Sequence, residues 1–297
     1  MLLKLAPALF VLLWSSGFIA AKIALPYAEP ATFLFLRFAV VVALAGVAGL
    51  VMRAPLRGGI DLLHAGVAGA MMLGLYLSAV LWSMYAGMPA GVVALVVSLH
   101  PITTAVLSSL WLGERISVVG WLGFVLGVVG AGLVLWPKLD LGASGIRPET
   151  IGLALLALPA MSCGTVYQKR FAGQADVVAA TIAQHVGAML VVGLIAAVFE
   201  TRVVDWTPTM VATLAWQSLA LSVGAFGLLL LMIRARAASR ASSMFYFIPA
   251  ASAAMAFVLL GERLEPIQLV GVVVVSAAVF LISHVPSTKS LPVTRPG

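Results

Sequence analysis

Charged residues are scarce in this chain. Its 297 residues include 17 Lys and Arg and 10 Asp and Glu, 9% in all, where soluble domains carry about a quarter. With 63% apolar residues beside so little charge, a soluble fold is excluded, because it could not hide that much apolar surface. Cysteine is scarcer still. Cys163 stands alone in an apolar run, so no internal disulfide forms, and it reads as a small core residue. Acid is missing from the middle of every apolar run. The ten carboxylates, Glu29, Asp61, Glu114, Asp140, Glu149, Asp176, Glu200, Asp205, Glu262 and Glu265, all fall in loops or at run ends. Buried carboxylates are the usual intramembrane proton relays and cation sites, so this absence argues against such a relay. Metal-type His/Glu spacing and phosphate-cradling glycine loops are lacking too. The reading therefore includes no metal, no cofactor and no catalytic residue.

What the chain has is apolar length. Mean hydropathy is +1.15, and apolar runs of about 20 residues are long enough to cross a ~30 Å hydrocarbon core as helices. They lack the two-residue alternation of barrel strands. Ten spans are expected, at 4-24, 31-52, 62-84, 90-111, 117-136, 150-168, 178-199, 209-233, 240-260 and 266-284. The first has one Lys before it and no clean cleavage site, so it reads as a span rather than a signal peptide. With the N-terminus inside, the inner segments hold Lys4, Arg53, Arg57, Arg115, Lys169, Arg170, Arg234, Arg236, Arg240, Lys289 and Arg295. The outer ones hold Lys22, Lys138, Arg147, Arg202 and Arg263. Eleven against five places both termini in the cytoplasm of a cell inner (plasma) membrane protein. The net charge of +7 is then topology, and no nucleic-acid partner is implied.

The chain also repeats itself. Leu-Gly-Glu-Arg occurs at 112-115 and again at 260-263, each copy at the same distance after a proline, Pro101 or Pro249. A shift of 148 also lays Gly123 on Gly271, and a shift of 147 lays WSSGFIAAK (14-22) on MSCGTVYQK (161-169). The reading is two five-span units, 1-136 and 150-285, joined by a linker at 137-149 and followed by a cytoplasmic tail at 286-297 expected to be disordered. Five is odd, so the second unit enters the membrane inverted, an arrangement found in many secondary transporters. In each quartet Gly closes a helix, and Glu-Arg is expected to hold a tight turn at the water interface. Pro101 and Pro249, inside spans, are expected to mark kinked or discontinuous helices beside the site.

These residues carry a family resemblance. Trp14-Ser15-Ser16-Gly17, Phe35-Leu36-Arg37-Phe38, the two span prolines and the two quartets, each before a Gly-rich span, resemble the drug/metabolite transporter superfamily, EamA type, over about 1-285. Within it the chain is most similar to the YddG-like amino-acid exporters. The resemblance implies an all-α membrane protein of ten helices in two inverted repeats around a central cavity, lined by spans one, three, four, six, eight and nine. It also implies export of small metabolites. The small multidrug pumps of the same superfamily use a first-span Glu that this chain lacks.

Side chains expected at the cavity are mostly hydroxyl, amide and aromatic. They are Trp14 and Ser15 in span one, Tyr76, Ser78 and Trp82 in span three, and Ser98 and His100 in span four. Ser162 and Tyr167 follow in span six, Tyr246 and Ser252 in span nine. Helix periodicity cannot turn all of them inward. Arg37, about 10 Å into span two at 1.5 Å per residue, is expected at an outer gate, with Gln184 as repeat mate beside His185. Such a set suits a neutral or zwitterionic molecule, and an amino acid fits. Broken helix ends would hold its ammonium and carboxylate. His100 is the one titratable side chain expected near the midplane, where it could couple transport to protons; a neutral, hydrogen-bonding role beside Pro101 is the preferred reading. Transport would be uniport or exchange. Another small neutral metabolite or drug is the alternative substrate. Gly142-Ala143-Ser144-Gly145 resembles a rhomboid-protease GxSG, but it lies in the charged linker. Gly120, Gly123, Gly127, Gly130 and Gly132 allow close packing of span five, within a monomer or across a homodimer; the sequence leaves both open.

Overall fold

The computed structural model describes residues 2–53, 59–97, 99–113, 118–139, 148–172, 176–225, 228 and 247–283. Over these the chain is almost wholly helical. α1 spans Leu2–Ala24 and α2 Pro30–Met52. α3 (Ile60–Gly69) widens into a π-helical turn, π1 (Ala70–Leu75), and continues as α4 (Tyr76–Tyr85). α5 (Ala90–Val97) and α6 (His100–Leu112) form one broken rod, followed by α7 (Val118–Leu139). α8 spans Pro148–Phe171, α9 Val177–Phe199 and α10 Pro208–Ala215, which widens into π2 (Trp216–Ala225). α11 (Ile248–Leu260) and α12 (Pro266–Ser283) close the described fold.

Among the described residues five helices are long and apolar enough to cross a membrane: α2, the α3–α4 rod, the α5–α6 rod, α8 and α9. The apolar parts of α1, α7, α11 and α12 are shorter. The cationic stretch 234–240, residues 226, 227 and 229–233 of expected span eight and the start of span nine lie outside the described residues.

Local sequence explains many boundaries. Proline, which lacks an amide donor, opens α2 and α10 in the first turn. Asp176 caps α9 by accepting from the Val178 and Ala179 amides at 3.0 and 3.2 Å. α6 and α11 form a matched pair of 13 residues each. Each has proline within its first two positions and ends on a glycine at φ +67°, Gly113 or Gly261. These are the quartet glycines, in the left-handed conformation that closes a helix.

Packing then crosses between the two sequence halves. α2 and α3 both lie along α9, and at α3–α9 the backbones nearly touch. A Cβ on Gly69 would sit 2.1 Å from the Gln184 carbonyl oxygen, and one on Gly187 2.0 Å from that of Gly66. α7 packs on α12, where a Cβ on Gly130 would meet Val275 at 2.8 Å and one on Gly271 would meet Val134 at 2.6 Å. Gly127 lies against Ile102 and Leu99, so these span-five glycines serve contacts within the chain. Gly132 has nothing within 4 Å.

Candidate functional site

Two serines at matched positions reach two helix starts at matched positions. Ser15 Oγ on α1 lies 3.4 Å from the Ile248 carbonyl oxygen at the first residue of α11. Ser162 Oγ on α8 lies 3.3 Å from the His100 carbonyl oxygen at the first residue of α6. Ser15 and Ser162 differ by 147 in sequence, His100 and Ile248 by 148. Both serines are fully buried. In each case a helix of one half donates to the proline-bearing helix start of the other half.

The glycines of the same motifs make room for this. A Cβ on Gly17 would meet Leu221 of π2 at 2.5 Å, and one on Gly164 would meet Met72 of π1 at 2.4 Å. α1 thus nests against π2 as α8 nests against π1. π-turns leave carbonyls without their usual partner and recur at functional sites. π2 also sends two side-chain donors to α1. Gln217, buried, donates from Nε2 to the Gly17 carbonyl at 2.7 Å, and Trp216 Nε1 donates to Ser16 Oγ at 2.9 Å.

The expected site residues fall into three groups. The first surrounds the helix breaks. Ser162 Oγ gathers Thr103 Oγ1 at 2.5 Å and Thr104 Oγ1 at 3.1 Å. The His100 ring bonds the Val97 carbonyl across the break between α5 and α6. Trp14 stands over Phe10 with centroids 5.5 Å apart, packed with Ile248. Ser252 on α11 is fully buried, and its Oγ has no partner. The backbones of Pro101 and Pro249 belong to these helix starts.

The second group lines a lateral crevice of about 610 Å³ between α4, α8 and α9. Ser78 and Trp82 face it, with Met71 and Cys163. Ser78 Oγ and Trp82 Nε1 are buried without partners. Its rim includes Leu156 at 58% and Phe199 at 72% exposure, so the crevice opens sideways, toward where lipid would be. Ser162 and Cys163, adjacent on α8, serve the break and the crevice respectively.

The third group stands apart. Tyr167 hydrogen-bonds His64 Nδ1 at 2.8 Å and packs on Phe171, so it joins neither cluster. Arg37 interacts electrostatically with Tyr76 and His185, and its Nε is buried without a partner. Ser98 and Tyr246 lie outside the described residues.

Sequence reasoning missed Thr104, Gln217 and the carboxylates that join the halves. Glu200, at the end of α9, is buried and accepts from the Ala31 and Thr32 amides and the Thr32 hydroxyl, each at 2.7 Å. It caps α2, a helix of the other half. Glu29 accepts from the Thr201 hydroxyl at 2.7 Å and amide at 2.6 Å, and from the Arg202 amide at 3.1 Å. Burial pushes the Glu29 carboxyl up, but these hydrogen bonds outweigh it, and its pKa lies below the ordinary glutamate value. Among the described residues no three His, Cys, Asp or Glu side chains are grouped to hold a metal ion.

Known proteins place this architecture. The family model described as the EamA-like transporter family matches twice, at residues 4–136 and 149–284. Uncharacterized transporter YvbV of Bacillus subtilis is 25% identical over 66% of this chain and 64% of its own length. WAT1-related protein At3g02690, chloroplastic, of Arabidopsis thaliana is 27% identical over 65% of this chain and 48% of its own. The chain thus spans about half to just under two thirds of these relatives. A solved crystal structure superposes with a TM-score of 0.64 over 97% of this chain and 98% of its own, at 18% identity, a likeness of fold.

Proposed function

The chain belongs to the EamA-like transporter family, and from that premise we propose that this multi-pass membrane protein exports amino acids, neutral or aromatic, by alternating access. The supporting observation is the matched pair of helix-start sites, Ser162 at the His100 carbonyl and Ser15 at the Ile248 carbonyl. In this reading the two halves are inverted repeats of five spans, with both termini cytoplasmic. The helix starts and the hydroxyls of Thr103, Thr104 and Ser162 hold the ammonium and carboxylate. No buried carboxylate is needed, so the cycle is uniport or exchange. Two further features support a ligand of this kind. Ser252 keeps an unpaired hydroxyl in the interior, where polar groups are normally satisfied. Trp14 offers an aromatic wall beside one break.

The test is counterflow. Purified protein in liposomes loaded with an unlabelled amino acid, and given no ion gradient, should accumulate the labelled one from outside. Ser162→Ala should lower kcat/KM by roughly tenfold, the loss of one buried hydrogen bond at about 1.4 kcal/mol. Folded protein that moves no amino acid under these conditions would falsify the substrate and turn attention to another neutral metabolite.

A further inference from the structure

The second quartet does more than turn the chain. Glu262, in the turn between α11 and α12, points away from its own hairpin. Oε1 accepts from the Ala90 amide at 2.7 Å and Oε2 from the Gly91 amide at 3.0 Å. These are first-turn amides of α5, which have no partner within their helix and carry the positive end of its dipole. α11 and α12 belong to one half of the sequence and α5 to the other. Glycine at 91 makes the approach possible: a Cβ there would lie 3.3 Å from the Ala256 side chain and 3.4 Å from Glu262 Oε2.

Lys22 completes the contact. At the end of α1, its Nζ donates to the Met84 carbonyl at 2.6 Å and reaches the Met88 carbonyl at 3.4 Å. It also attracts Glu262. One lysine and one glutamate therefore tie together the ends of α1, α4, α5 and α11. Two of these helices, α1 and α11, carry one of the helix-start sites. Ser15 lies seven residues before Lys22, about 10 Å along α1, and Ser252 ten residues before Glu262, about 15 Å along α11. The tie lies at the ends of these helices, one face away from Ser15 and Ser252.

We propose that Glu262 is a gating residue: its bonds to the α5 start, with Lys22 beside it, close the mouth of the carrier on this face, and their release opens it. This rests on the carrier reading. Release is cheap in an open state, because water can take over two amides, a carboxylate and an ammonium that protein groups satisfy when closed. The glutamate is a positioning residue and touches no substrate.

The test reads access at a distance from the tie. Ser252→Cys is introduced with Cys163→Ser, and the full chain in liposomes is treated with a water-soluble maleimide. With Glu262 intact, labelling of position 252 is slow. Glu262→Gln keeps the side-chain shape and loses the charge, and Glu262→Ala removes it. Each should raise the labelling rate roughly tenfold, in the order Ala, Gln, parent. Glu265→Gln in the same turn should leave it unchanged. A lipid-soluble maleimide should label all four alike, which separates an open mouth from an unfolded chain. Equal rates with the water-soluble reagent in parent, Gln and Ala variants overturn the gate, as does an equal rise with both reagents. Counterflow is recorded in parallel on the chain that keeps Ser252 and Cys163. Absence of counterflow in the chain that keeps Ser252 and Cys163, together with the graded labelling, defeats the substrate reading and leaves the gate standing.

Discussion

At the scale of single residues, carboxylates act on helices other than their own. Glu200 sits at the C-terminal end of α9, where a negative charge is disfavoured, yet it satisfies two orphan amides and a hydroxyl at the start of α2. Replacing it with Ala strands these donors in a buried place and should cost about 2–4 kcal/mol, read as a lower Tm in detergent. Glu29 makes a milder, pH-dependent contribution. Its folded pKa is depressed, so its stabilisation is present above the unfolded value and is lost as pH falls through the folded one. The Tm difference between the parent and Glu29→Gln should therefore shrink on acidification below the ordinary glutamate value of 4.5. A difference that stays constant from pH 6 to pH 3 would count against that carboxylate's role. None of these pairings was legible in the sequence. The expectation that acids lie at span ends located them, but partners about 170 positions away leave no local pattern.

At the scale of elements, the sequence spoke clearly where proline or glycine forces the backbone. Pro101 and Pro249 announced the helix starts at His100 and Ile248, and the two quartet glycines announced their ends. The π-turns carry no such marker. Met71, Met72 and Leu73 would suit an ordinary helix, and the widening appears where α8 presses on it through Gly164. The glycines of α3 and α9 were equally silent, since Gly66, Gly69 and Gly187 belong to no repeat. They nevertheless define the closest crossing described. Gly69→Ala and Gly187→Ala should each destabilise by at least about 2–3 kcal/mol, because carbonyl oxygens stand where the methyl would go. Gly132→Ala, with open space around it, should change Tm little or raise it. If the three variants melted alike, the close α3–α9 approach would be wrong.

At the scale of the molecule, the halves are interleaved rather than side by side. α1 meets π2 and α11; α8 meets π1 and α6; α2 and α3 meet α9; α7 meets α12. A chain cut within 140–147, with both pieces coexpressed, should purify as one complex and unfold in one transition. Two separate transitions would show that each half holds its own core. Composition made a membrane protein plain, because so few charges accompany so many apolar residues. The offsets of 147 and 148 made two related halves plain. Interleaving was hidden, since a repeat states that two units are alike and says nothing of which helix of one touches which helix of the other.

That interleaving has a cost in time. The ribosome delivers roughly 5–20 residues per second, and the partner of Ser15 lies 233 positions further on. Between the synthesis of α1 and that of α11, roughly 10–50 s pass at those rates. During this wait the first half stands in the bilayer with its serine and the bare glycine groove of α3 unmatched. Whatever escorts a nascent membrane chain must shelter those groups until the second half arrives to receive them.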